Sequence, residues 1–188
     1  MDASHTPNPF HLGFVSIRER SPHGYFGGFL VINELARPLE FHCTLPLQPS
    51  RAQRILFGPT LDEFVCGEQI ARAMLGKVKT KPTVVLTDTA AALSVRHWID
   101  VPIFWLQEEY QAEEPSNGFA IPSQKRSESE YASRVIRGKP FYWLPSYTGD
   151  GAALDALMGD GVSQLDLREP FGRIVEALAE AHPRSKVA

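Results

Sequence analysis

Cysteine is scarce in this chain: two residues, Cys43 and Cys66, in 188. They form no CxxC pair and have no histidine at zinc spacing, so the sequence offers no structural zinc site. Number alone allows one disulfide between them, which a cytosolic chain would keep reduced. Long apolar runs are missing too, and none approaches the roughly 20 residues a membrane helix needs. The opening Met1-Asp2-Ala3-Ser4-His5 lacks the basic-then-apolar order of a secretory signal. Nor is there an excess of positive charge: 19 Lys and Arg against 22 Asp and Glu give a net charge of -3. That balance argues against a strongly basic nucleic-acid binder. These absences lead us to expect a cytoplasmic protein with no membrane partner.

What is present is an ordinary globular composition, 43% hydrophobic and 22% charged. A chain of this length buries about 70% of its unfolded surface, so a core needs no staple. We expect a leader at 1–11, then a single α/β domain at 12–188, with a core at 12–106 and an extension at 107–188.

The core opens with strand patterns. Leu12 to Ile17 is one, and Tyr25 to Asn33, apolar on both faces, is a second and lies inside a sheet. Its pair Gly27-Gly28 allows a bulge or a close backbone approach. Asn33 to Pro38 turns the chain into a third strand, Leu39 to Thr44, giving an antiparallel meander. Alternation sets Cys43 with Leu39, Phe41 and Leu45 on one face, expected to be buried, and His42 with Glu40 on the other.

Helical signals follow. Ser50 is placed to cap Arg51 to Phe57, and Thr60-Leu61-Asp62-Glu63 has the form of a capping box. Leu61, Phe64, Val65, Ala71 and Leu75 recur at helical spacing up to Gly76. Thr83 to Thr87, an alanine-rich segment from Thr89 to Val95, and Val101 to Leu106 make a strand–helix–strand unit with a parallel pair. Gln107 to Ser123 loses the pattern and reads as an acidic loop. Ser127 to Ile136 reads as helical among Lys and Arg, Phe141 to Leu144 as a last strand, and Glu169-Pro170 opens a final helix.

Two acids stand out. On a regular helix Glu68 shares the face of Leu61, Phe64, Val65, Ala71 and Leu75, where an unpaired charge costs several kcal/mol. It therefore needs a partner such as Arg72 or His42, a raised pKa, or water. Asp88 ends the fourth strand, at the carboxyl edge where open α/β sheets place ligands; its other reading is the N-cap of the alanine segment.

The order of three antiparallel strands, helix, strand, helix and strand resembles the ribonuclease H-like fold. The likeness covers residues 12–106 through Gly27-Gly28-Phe29-Leu30-Val31, Pro38-Leu39-Glu40-Phe41, Glu68 and Thr83 to Thr89. It implies a mixed α/β sheet with helices packed on it. It also implies that Glu68 and Asp88 match the helix and strand acids that help bind two Mg²⁺ or Mn²⁺ ions for phosphodiester hydrolysis. The family's first strand carries an aspartate bridging both metals. Here Leu12 to Ile17 has no acid, and Glu19 is the nearest substitute.

This incomplete acid set leads us to expect a non-catalytic interaction or adaptor module with no cofactor, acting as a subunit with a protein partner or a second copy. One alternative is a Mg²⁺- or Mn²⁺-dependent phosphodiesterase or nuclease using Glu68, Asp88 and Glu19, with nucleic acid as partner. Another is a small-molecule binder near Asp88 and His97, with 107–123 as its lid.

Overall fold

β1 (Leu12–Arg20) and β2 (Gly24–Ile32) pair antiparallel over their full lengths, from Leu12↔Ile32 to Arg20↔Gly24. The computed structural model describes residues 10–107, 118–122, 126–159 and 162–183. β3 (Pro38–Cys43) pairs antiparallel with β2, completing the expected meander. On the other side of β1, β4 (Val84–Thr87) runs parallel to it and β5 (Ile103–Leu106) parallel to β4. β6 (Ala132–Ile136) and β7 (Lys139–Trp143) form a hairpin whose second strand pairs antiparallel with β5. The result is one mixed seven-stranded sheet in the order β3-β2-β1-β4-β5-β7-β6.

Helices cover both faces. α1 (Arg51–Phe57) is capped by Ser50 as expected, with a reciprocal bond from the Gln53 side chain. α2 (61–75) comprises Leu61–Glu63, the π-helical Phe64–Ala71 and Arg72–Leu75, and it packs on one face with the 3₁₀ segment Ala90–His97. α3 (Asp150–Gly159) and α4 (Glu169–Ala181) cover the other. Arg96 ties the two helical layers together. It donates to both carboxylate oxygens of Asp150 at 2.9 and 3.1 Å, and that partner raises its pKa.

The glycine pair sets how closely the helices approach. A Cβ on Gly27 would lie 2.2 Å from Ile70 Cγ2, and one on Gly28 would lie 2.3 Å from Ile174 Cγ2. Adjacent residues on opposite faces thus seat α2 and α4 directly against the backbone of β2. All nine residues of β2 are buried, as its two-sided apolar pattern requires.

Four local expectations need correction. The Thr60 hydroxyl donates to Phe57 O and makes no capping bond, because the chain is already turning as 3₁₀ helix over Gly58–Thr60. The alanine segment is 3₁₀ rather than α. Ser127 to Ile136 is not a helix: a 3₁₀ turn at Glu128–Glu130 leads into β6, and Arg137 and Gly138, both at positive φ, close a two-residue hairpin. Finally, the Cys43 face of β3 is exposed, with Leu39 at 44% and Phe41 at 39%, because β3 is an edge strand lying beyond the reach of α4. Of the acidic loop, 108–117 and 123 fall outside the described residues.

Candidate functional site at the carboxyl rim of β1 and β4

Alternation along β1 sends Phe14 to the α4 face and Val15 and Ile17 to the α2 face. Ser16 and Arg18 therefore share the α4 face with Phe14. The parallel register Val15↔Thr87 then brings Ser16 alongside Asp88, just past the end of β4. Ser16 Oγ donates to Asp88 Oδ2 at 2.9 Å, and Arg18 Nη2 donates to the same oxygen at 2.5 Å. Arg18 Nη1 donates to Ile17 O at 3.1 Å. On the other carboxylate oxygen, Thr89 Oγ1 lies 3.0 Å from Asp88 Oδ1. The Ile17 amide donates to the same threonine hydroxyl at 3.2 Å.

This centre is dry. The Asp88 side chain is 0% exposed and that of Arg18 is 6% exposed. An isolated carboxylate here would cost several kcal/mol, and the guanidinium neutralises it at hydrogen-bond distance. The bonds that hold Asp88 also exclude it as the helix cap considered above: the 3₁₀ segment begins after Thr89 with no side-chain capping bond.

The other two sequence-selected acids stand apart from Asp88. Glu19 continues the odd-numbered α2 face of β1, opposite Tyr25, and its charge adds to the rise in the Tyr25 pKa. Glu68 is half-buried on α2. Its periodicity shifts because Phe64–Ala71 winds as π-helix, with the Arg72 amide bonded to Gly67 O. The inward residues become Leu61, Asp62, Val65, Cys66, Gly67, Ile70, Ala71 and Met74, and Glu68 moves to the flank. His42, considered as its partner, instead bonds Glu40 at 2.7 Å.

Sequence reasoning missed Ser16, Arg18 and Asp62. The alternation Ser16-Ile17-Arg18-Glu19-Arg20 held the signal for the first two, since it puts three polar side chains on one face at a strand end. Asp62, in the first turn of α2, is the buried acid of that helix, and its Oδ1 accepts from Tyr25 OH at 2.9 Å. Burial and this carboxylate push the Tyr25 pKa far up.

The rim does not fit the two-metal arrangement. It offers Asp88 as a single carboxylate, with one oxygen already taking two donors, one of them cationic. Among the described residues no three of His, Cys, Asp and Glu converge so as to hold a metal ion. A separate recess of at most about 260 Å³ lies among Glu63, Ser94, His97, Arg126 and Tyr131. It is smaller than the roughly 300–1,000 Å³ of small-molecule sites. The Glu63–Arg126 pair crosses it at 2.5 Å, and His97 Nδ1 lies 2.9 Å from Tyr147 OH.

These features are those of a ribonuclease H-like fold, and comparison with solved structures agrees. An endonuclease V from Ciona intestinalis, in complex with a 23mer DNA containing an inosine followed by a ribo-adenosine, superposes with a TM-score of 0.52. The match has 10% identity and covers 93% of this chain and 86% of that one. Human ENDOV gives a TM-score of 0.43 at 12% identity, covering 92% and 84%. No protein-family model and no curated protein matches the chain. The chain has the ribonuclease H-like fold, and the likeness to the Ciona intestinalis structure carries the fold alone. Among the described residues no helix is long and apolar enough to cross a membrane.

Proposed function

We propose that the protein is a non-catalytic module of ribonuclease H-like fold that acts through protein contacts as a subunit of a larger assembly. The observation that supports this most is the Arg18–Asp88 pair. The strand-end carboxylate is neutralised by a guanidinium and its Oδ2 already takes two donors, so it offers a divalent ion no net negative charge. Glu19 lies on the opposite face and Glu68 on the flank of α2, so neither adds a second carboxylate beside Asp88.

Exposed apolar side chains favour protein contacts. α1 has no buried residue and presents Ile55 and Leu56, while Leu35 and Leu45 flank the open face of β3. For the small-molecule alternative, the recess at Glu63 and His97 is smaller than an ordinary ligand site.

The competing reading is a metal-dependent nuclease acting on nucleic acid through Glu68, Asp88 and Glu19, and the structural neighbour from Ciona intestinalis is an endonuclease V. One comparison separates the two. Calorimetric titration of the full chain with Mg²⁺ and Mn²⁺ should give no binding heat, and inosine-bearing DNA and RNA should stay intact. Asp88→Asn should lower the melting temperature markedly, because it breaks the buried Arg18–Asp88 ion pair. Metal binding with cleavage, abolished by Asp88→Asn at unchanged stability, would establish the nuclease instead.

A further inference from the structure

The disagreement between this rim and a two-metal centre has a specific shape. Arg18 does not merely lie near Asp88: its Nη2 and Nη1 bridge Asp88 Oδ2 and Ile17 O, two oxygens at one point of the rim. Ser16 Oγ meets the same carboxylate oxygen at 2.9 Å. A carboxylate, a backbone carbonyl and a hydroxyl are the donors hard cations take. We propose that the Arg18 guanidinium is the resident cation of this rim, supplied by the chain itself, and that removing it uncovers a site for a small external cation. The inference rests on the non-catalytic reading above and says what closed the centre.

The chemistry follows from charge. With Arg18 in place, carboxylate and guanidinium cancel, and an incoming divalent ion would have to displace a tethered cation whose effective concentration is high. Truncation at residue 18 leaves Asp88 buried with a negative charge, an empty volume of guanidinium size and two acceptors each relieved of one donor. Ser16 Oγ is still on Asp88 Oδ2, and Thr89 Oγ1 is 3.2 Å from Ile17 O. Ser16→Asp would add a second carboxylate beside Asp88, and paired carboxylates are what Mg²⁺ and Mn²⁺ sites of this kind use.

Three variants test this by thermal unfolding and Mn²⁺ calorimetry. Arg18→Ala should melt roughly 10 °C below the parent. Millimolar guanidinium should raise that melting point, while equal concentrations of urea or NaCl do not. Ser16→Asp/Arg18→Ala should bind Mn²⁺ and gain roughly 5–10 °C at a hundredfold excess over its Kd. Ser16→Asp alone, with Arg18 still in place, should stay silent to Mn²⁺; it keeps the test alive should both truncated forms fail to fold. Mn²⁺ binding by Ser16→Asp alone, or an Arg18→Ala protein indifferent to every cation, would overturn the inference. Mn²⁺ binding at this rim by the unaltered protein would instead sink the non-catalytic reading, so the two failures are separable.

Discussion

The two faces of the sheet handle a buried acid in different ways. On the α4 face, Asp88 is held by a full positive charge, a serine and a threonine. On the α2 face, Asp62 accepts from the neutral phenol of Tyr25. The first acid shares its oxygen with a tethered cation, whereas the phenol gives the second a neutral hydrogen bond. At Asp88 the difference is made by the two side chains that β1 points toward it. A strand that supplied acids at those positions would pull in a divalent ion; one that supplies Ser16 and Arg18 builds the counter-ion into the chain.

Breaking the α4 side should have the largest effect. Arg18→Met should cost about 3–5 kcal/mol in denaturant unfolding, because it strands a buried carboxylate. An effect below about 1 kcal/mol would place the pair among solvated ion pairs and erase the contrast between the faces. The two helix seats come next. Gly28→Ala and Gly27→Ala should each lose about 2 kcal/mol, since the added methyl meets an isoleucine branch at 2.3 or 2.2 Å. Pairing Gly28→Ala with Ile174→Ala, which removes Cγ2, should cost less than the sum of the two. Strict additivity would show that α4 does not rest on that glycine.

On the α2 face, Tyr25→Phe should cost about 1–2 kcal/mol by removing a donor from Asp62. The smallest effect is at the sheet edge and depends on pH. Backbone amides of Thr80 and Lys79, with His42 between them in weight, hold the Glu40 carboxyl at about 2, below its ordinary 4.5. A depressed carboxyl adds stability that is complete above pH 4.5 and drains away as pH falls toward 2. Glu40→Gln should flatten that part of the stability–pH curve and leave it unchanged in shape near neutrality. Identical acid limbs in parent and variant would remove Glu40 from the account.

Much of the fold was legible because its signals are local. Three strand patterns close together in the chain gave the meander, the two-sided apolar run of β2 placed it inside the sheet, and Glu169-Pro170 marked the last helix. Failures came where tertiary context overrode a local pattern. The basic stretch before Arg137 resembles a solvated helix until β7 offers it a strand to pair with, and positive φ at Arg137 and Gly138 closes the hairpin. The Cys43 face of β3 is apolar in sequence yet exposed, because neighbouring helices rather than composition decide what is covered. Glu68 was misplaced by assuming 3.6 residues per turn through a π-helical stretch. The site was half legible. Asp88 was found from its place at a strand end, while its partner Arg18 needed the face of β1 to be followed two residues further.

The most direct measurement is a double-mutant cycle on the rim: the parent, Arg18→Met, Asp88→Asn and the two together, compared by equilibrium unfolding. A closed, mutually neutralising pair predicts two costly single changes and a double variant that recovers roughly 2–3 kcal/mol of their summed loss. Losses that simply add would mean that the guanidinium and the carboxylate act independently, and the built-in counter-ion would be gone from the account.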